Sequence, residues 1–421
     1  MLTRILLSLT ILATTAFAED WPVWRGPRND GRSTEAAFPI TWSKTDNVVW
    51  RTELAGEGHA SPVLFGGKLF TVAATPDTGD RVLICLDRNT GKKVWQQTVV
   101  KAPSEHVHKE NSHASSTPAC DGERVFCTFL DGKDVVVSAY SLDGKQLWQK
   151  RPGIFTSVHG FCSTPIPYED KVIVNCDHDG DGYIVALSRT DGHELWRIIR
   201  PNHTRSYCTP IIRHAAGRTQ MVLSGSKCIA SYDPDTGKQL WIVDGPTDQF
   251  VASPVYSETT GLFYITGGFP DHHIMAIRPD GTGNVTETHV VWHHHNGAGV
   301  SYVPSPIIEG DWFLVTDDRG FAHAFDAKTG DIVWNEKFGR SHASIVSAAG
   351  LLYFMNDAGV CRAVKPAKKF ATVATNDLGE PTYASPALSN GQIFLRTDKA
   401  IYCIGQTKKT AATTPRIQSK P

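Results

Sequence analysis

Short, mostly apolar runs such as Lys68-Leu69-Phe70-Thr71-Val72, Val82-Leu83-Ile84-Cys85-Leu86 and Ile401-Tyr402-Cys403-Ile404 recur along the chain, separated by turns rich in Gly, Asp or Asn. Runs of about four to eight such residues, closed by such turns, predict strands rather than helices. A longer period lies over this one. Trp50, Trp95, Trp148, Trp196, Trp241, Trp292 and Trp334 follow one another at intervals of 45, 53, 48, 45, 51 and 42 residues. Five of them end a segment that opens with a Gly turn, as in Asp87-Arg88-Asn89-Thr90-Gly91-Lys92-Lys93-Val94-Trp95. Each such segment predicts a hairpin in which Gly supplies the positive φ between two strands.

A second marker precedes each unit: Ser61-Pro62, Thr117-Pro118, Thr164-Pro165, Thr209-Pro210, Ser253-Pro254, Ser305-Pro306 and Ser385-Pro386, with Ser344-Ile345 in the remaining place. A strand, a tight turn such as Gly66-Gly67 or Asn390-Gly391, and a second strand follow the marker. Four strands repeated eight times predict an all-β, eight-bladed β-propeller, in which each blade buries its faces against its neighbours. The last unit, from Tyr383 to Ile404, has three strands, while Asn47-Val48-Val49-Trp50 is an orphan fourth, so the N-terminal strand is expected to close the ring. Unit seven lacks both Pro and Trp, and Lys368-Lys369-Phe370-Ala371-Thr372-Val373 is the run expected as its outer strand. The expected organisation is a leader over 1–18, a lead-in over 19–46, one propeller over 47–405 and a disordered tail over 406–421.

The length of 421 residues taken alone suggests two or three domains. The repeat makes them one. Counts of 36 Gly, 24 Pro and 4 Met fit a turn-rich β chain. Lys plus Arg number 42 against 43 Asp plus Glu, which excludes a basic footprint for nucleic acid. Arg4, the apolar stretch from Ile5 to Leu12 and Ala16-Phe17-Ala18 read as a secretory signal, so a soluble protein exported to the periplasm or beyond, not inserted in the membrane, is expected. Nine Cys show no CxxC pair and sit largely in strand-like runs, which predicts buried free thiols.

The segment Ala324-x-Asp326-x-x-Thr329-Gly330-x-x-x-Trp334, with its variant Cys85-x-Asp87-x-x-Thr90-Gly91-x-x-x-Trp95, resembles the tryptophan-docking motif of the pyrroloquinoline-quinone (PQQ) repeat family. Variants cover most of the chain from Trp50 to Ile404, and the opening Trp21-Pro22-Val23-Trp24-Arg25-Gly26-Pro27 is similar to the segment leading into quinoprotein propellers. The resemblance implies two kinds of relative: PQQ-dependent alcohol dehydrogenases, and non-enzymatic BamB-like scaffold propellers. The dehydrogenases resembled carry adjacent cysteines over the quinone, a Glu and an Asn on Ca²⁺, and an Asp base; the scaffolds resembled carry a lipidation Cys. This chain has no adjacent Cys pair and no Cys before Cys85. The leading expectation is therefore a non-catalytic binding or scaffold module, and the second a PQQ- or metal-dependent oxidoreductase at the channel mouth.

In a propeller, the loops joining blade to blade and second strand to third share one face. Just before the markers stand His59, His113, His159, Tyr207, Tyr302, His342 and Tyr383, which are expected to ring the channel mouth and to offer neutral donors, acceptors and aromatic faces. A monomer recognising a protein or a small polar ligand is the expectation. His106, His108, Glu105 and Glu110 cluster in the loop after the first blade. In His293-His294-His295, adjacent side chains on a strand point in different directions. Asp177, Asp179 and Asp181 match the first half of a calcium loop, whose ninth and twelfth positions here are Val185 and Ser188.

Overall fold

The computed structural model describes residues 19–297 and 299–406. The expected leader, and the tail beyond 406, lie outside the described residues. The described strands form eight sheets of four antiparallel strands, with one extra strand on the fourth sheet. The first blade shows the plan, from the channel outward: Val63–Phe65, Lys68–Thr75, Asp80–Asp87 and Lys93–Lys101. Its two middle strands are buried along nearly their whole length because neighbouring blades cover both faces. The ring closes as its ends foretold. Val48–Glu53 pairs antiparallel with Ala400–Ile404, with Trp50 opposite Cys403, and so supplies the fourth strand of the last blade.

In each blade the third and fourth strands pair through the same irregularity. The residue before the Trp position bulges out of register, and the Trp then faces a small residue: Cys85, Ala139, Ala186, Ser231, Ala276, Ala324 or Cys403. The small partner leaves room for the indole, and the bulge turns Val49, Val94, Leu147, Leu195 and Val291 to solvent. Blade seven keeps the bulge, at Val373, and places Ala374 where the others have Trp. Its outer strand is Ala371–Asp377, shifted from the run read in the sequence. The signal at that place was weak because the Trp is missing.

Six indoles donate to a backbone carbonyl in the next blade; Trp50 Nε1 to Arg88 O and Trp95 Nε1 to Leu142 O are both 3.0 Å. Trp241 differs. The fifth blade replaces its short turn with a strap that carries Gly283–Asn284 alongside Gln239–Asp244, and Trp241 Nε1 donates instead to Gln220 Oε1 at 2.7 Å.

The Ser and Thr markers have a structural use. The backbone N–H of Thr209 donates to Ser253 Oγ, that of Ser253 to Ser305 Oγ, that of Ser305 to Ser344 Oγ and that of Ser344 to Ser385 Oγ, each at 2.9 Å. Ser61 N–H donates likewise to Thr117 Oγ1 at 3.0 Å. A hydroxyl at this position ties five of the blades to the next around the channel, and Ser344, although its Pro is missing, supplies one of them.

The lead-in crosses the opposite end of the channel. Trp21 pairs with Leu64, Cys120 N–H donates to Pro22 O, and the buried Arg25 guanidinium donates to Ser305 O and Pro306 O at 3.2 and 2.7 Å. Further on, the Glu35 carboxylate accepts the N–H groups of Asn390 and Gly391. The segment thus spans the ring from its first blade to its last. No helix among the described residues is long and apolar enough to cross a membrane.

Candidate functional site

The loops before the first strands and the turns between second and third strands meet on one face, around a cavity of about 610 Å³. His159, Tyr207, Tyr302 and His342 line it. Below it the channel narrows to about 120 Å³, lined by His59, Tyr383, His342, Tyr207 and the marker hydroxyls, with Trp24 of the lead-in also on its wall. Six of the seven residues named from sequence therefore come together. His113 does not: its Nδ1 lies 2.6 Å from Glu57 Oε1 and its Nε2 2.8 Å from Glu105 O, which turns the ring away from the cavity.

The six are held by different partners. His59 stacks on Tyr383 with centroids 4.5 Å apart, and the His342 ring meets Tyr383 edge-on at 4.9 Å. Burial, with the Arg396 and His342 charges adding to it, pulls His59 down to about 4. His342 presents Nδ1 to Asp357 Oδ2 at 2.8 Å, so Nε2 is left for the cavity. His159 Nδ1 lies 2.9 Å from Tyr207 OH, which also contacts Ser157 Oγ. Tyr302 OH contacts Gln249 Nε2, and burial pushes this phenol up to about 12.

Further lining residues carry no sequence signal of their own: Arg205, Gln249, Phe269 and Arg340. Arg340 grips Glu110 through both guanidinium nitrogens, at 2.6 and 2.7 Å. Burial pushes the Glu110 carboxyl up, but Arg340, with His342 and His108 near, outweighs it and holds the group below the usual range. Arg205 bonds Asp179 Oδ2 and Gln249 Oε1, both at 2.6 Å. Phe269 stands 53% exposed at the wall. A larger hollow of about 860 Å³ on the opposite face is lined by lead-in residues and the first-strand turns of the third to sixth blades, and none of the seven His and Tyr candidates borders it.

The three carboxylates of the calcium expectation face three different side chains. Asp177 is fully buried on Arg200 Nε at 2.9 Å, Asp179 pairs with Arg205, and the exposed Asp181 lies 3.4 Å from His203 Nδ1. Among the described residues no three His, Cys, Asp or Glu side chains are arranged around a common metal position. The His run divides between faces: His294 Nε2 bonds Gly330 O at 2.8 Å, whereas His293 and His295 share the other face with the buried His273, whose Nδ1 is 2.8 Å from His293 Nε2. These three rings stack nearly parallel, so their lone pairs do not converge. The donor set does not fit a quinone held on calcium either. The cavity guanidinia are already taken by Asp179 and Glu110, and its one cysteine, Cys162, is a free thiol that burial pushes up to about 12.

The model of a family described as outer membrane protein assembly factor BamB matches residues 41–198, 80–264 and 270–410. Outer membrane protein assembly factor BamB of Shewanella oneidensis is 26% identical over 184 residues, 42% of this chain and 44% of that protein. Quinohemoprotein alcohol dehydrogenase ADH IIB of Pseudomonas putida is 23% identical over 315 residues, 67% of this chain and 41% of that one. The chain thus spans less than half the length of each of these curated relatives. The crystal structure of BamB from Moraxella catarrhalis aligns with a TM-score of 0.59 at 13% identity, over 85% of this chain and 99% of that one, a likeness of fold.

Proposed function

Since this chain belongs to the PQQ-like repeat β-propeller family, we propose that it is an exported binding or scaffold propeller whose recognition surface is the His/Tyr-lined mouth of the channel. The observation that carries this reading is the gathering of His59, His159, Tyr207, Tyr302, His342 and Tyr383 around one open cavity and its neck. Side chains brought from six different loops to one concave surface, with polar edges facing it, are what a recognition site needs. The partner is a protein or a small polar ligand, bound by a monomer. Export is supported by the Arg4, Ile5–Leu12 and Ala16-Phe17-Ala18 pattern.

The test replaces His59, His159 and His342 together by Ala in the full chain. Capture of envelope partners or ligands is expected to fall while the melting temperature stays within about 3 °C. A large fall in stability with unchanged capture would assign these side chains to packing instead. The matched quinohemoprotein relative supplies the second reading, an oxidoreductase. Adding PQQ and Ca²⁺ decides it: a visible absorption change with dye-linked alcohol oxidation would establish it, and neither is expected.

A further inference from the structure

We propose that the mouth cavity takes a neutral saccharide, an assignment that rests on the binding reading above. Two properties of the lining lead there. The first is that the guanidinia of the hollow are already spent: Arg340 pairs with Glu110 and Arg205 with Asp179, while Asp318 accepts the Tyr302 N–H. An anion would find no free cation there, and burying an uncompensated charge is costly. The second is the way the polar groups are held. Arg340 is locked on Glu110, Arg205 is locked on Asp179 and Gln249, and Gln249 in turn contacts Tyr302.

Planar groups fixed in this way present alternating donors and acceptors at set directions. A sugar hydroxyl donates and accepts at once, so a ring of hydroxyls can bridge neighbouring members of such a series without disturbing their pairing. Phe269 adds the apolar element. Its loop is pinned by reciprocal backbone hydrogen bonds between Phe269 and Gln249, both 3.2 Å, so the exposed ring is a held surface against which the C–H face of a pyranose can lie. The cavity of about 610 Å³ is within the range of small-ligand pockets.

The experiment is calorimetric titration of the full chain with methyl α-glucoside, methyl β-galactoside, methyl α-mannoside, maltose and cellobiose, beside glucuronate, glucosamine and triglycine. At least one neutral sugar is expected to bind saturably and more tightly than either charged analogue. Phe269→Ala should weaken that binding about tenfold, and Glu110→Gln should weaken it further, with Phe269→Ala leaving the melting temperature unchanged because the ring is exposed. The assignment is overturned if no neutral sugar binds, if a charged analogue binds as tightly, or if Phe269→Ala has no effect. Triglycine binding without any sugar would overturn the saccharide class and leave the binding reading standing. That reading fails separately, if capture survives the triple His replacement.

Discussion

Nδ1 of His342 stands 2.8 Å from Oδ2 of Asp357, whose other oxygen accepts the His342 backbone N–H at 2.8 Å. One carboxylate therefore fixes both the loop and the tautomer of its histidine, the arrangement that sets which ring nitrogen is free. In solution, ¹⁵N NMR should find neutral His342 as the Nδ1–H form alone. Asp357→Ala should give a mixture of tautomers and lower stability by about 1–3 kcal/mol, since two donors lose their acceptor. A variant that kept the single Nδ1–H form would show that some other group orients the ring.

Gly330 lies against Trp292 with φ +78°, and a Cβ there would come within 2.7 Å of the indole. Gly330→Ala combines backbone strain with a collision in the blade interface, and should cost about 2–4 kcal/mol in chemical denaturation. Gly310 also has positive φ, +59°, but open space around it. Gly310→Ala should therefore cost no more than about 1 kcal/mol. Equal losses at the two positions would mean that contact with the indole is not what requires glycine.

Ser305 accepts the N–H of Ser253 through its buried hydroxyl. Ser305→Ala leaves that donor without a partner and is expected to lower stability by about 1–3 kcal/mol. Ser305→Thr restores the acceptor, as Thr117 provides it in its own blade, and should recover most of the loss. If alanine and threonine were equally harmful, volume and not hydrogen bonding would be the requirement at this ring.

His59, held neutral down to about 4, makes stability depend on pH. Between about 6.5 and 4 the unfolded chain takes up a proton at this residue and the folded one does not, so stability falls as pH drops through that window. The contribution reaches at most about 3 kcal/mol and should be absent from His59→Gln. The difference between the two denaturation profiles, measured from pH 7 to 4, checks both sign and window. A difference that stayed flat would show that His59 titrates alike in both states.

The propeller was legible because its signals are local. A hairpin turn, an apolar run and a Ser-Pro marker each fit within a few residues, and repetition made weak signals add up. Blade seven, which lacks the Trp, is where the strand register was misread. The His and Tyr ring was legible for the same reason, since its members precede the markers. His113 broke the pattern because Glu57, which turns its ring away, comes from the loop entering the preceding blade and has no motif to announce it.

Amino-acid order alone was enough for the blade count, the ring closure between Asn47-Val48-Val49-Trp50 and the last unit, and the end of the channel at which six of the seven His and Tyr side chains gather, because turn chemistry and strand period act between near neighbours. The cavity had to wait for folding. Glu110 and Arg340, which form one wall, are separated by 230 positions, and Arg205 meets Gln249 from the next blade. Such pairs exist because the ring closes and brings distant loops to one rim. Pairing there depends on distance in space, for which position along the chain holds no local code.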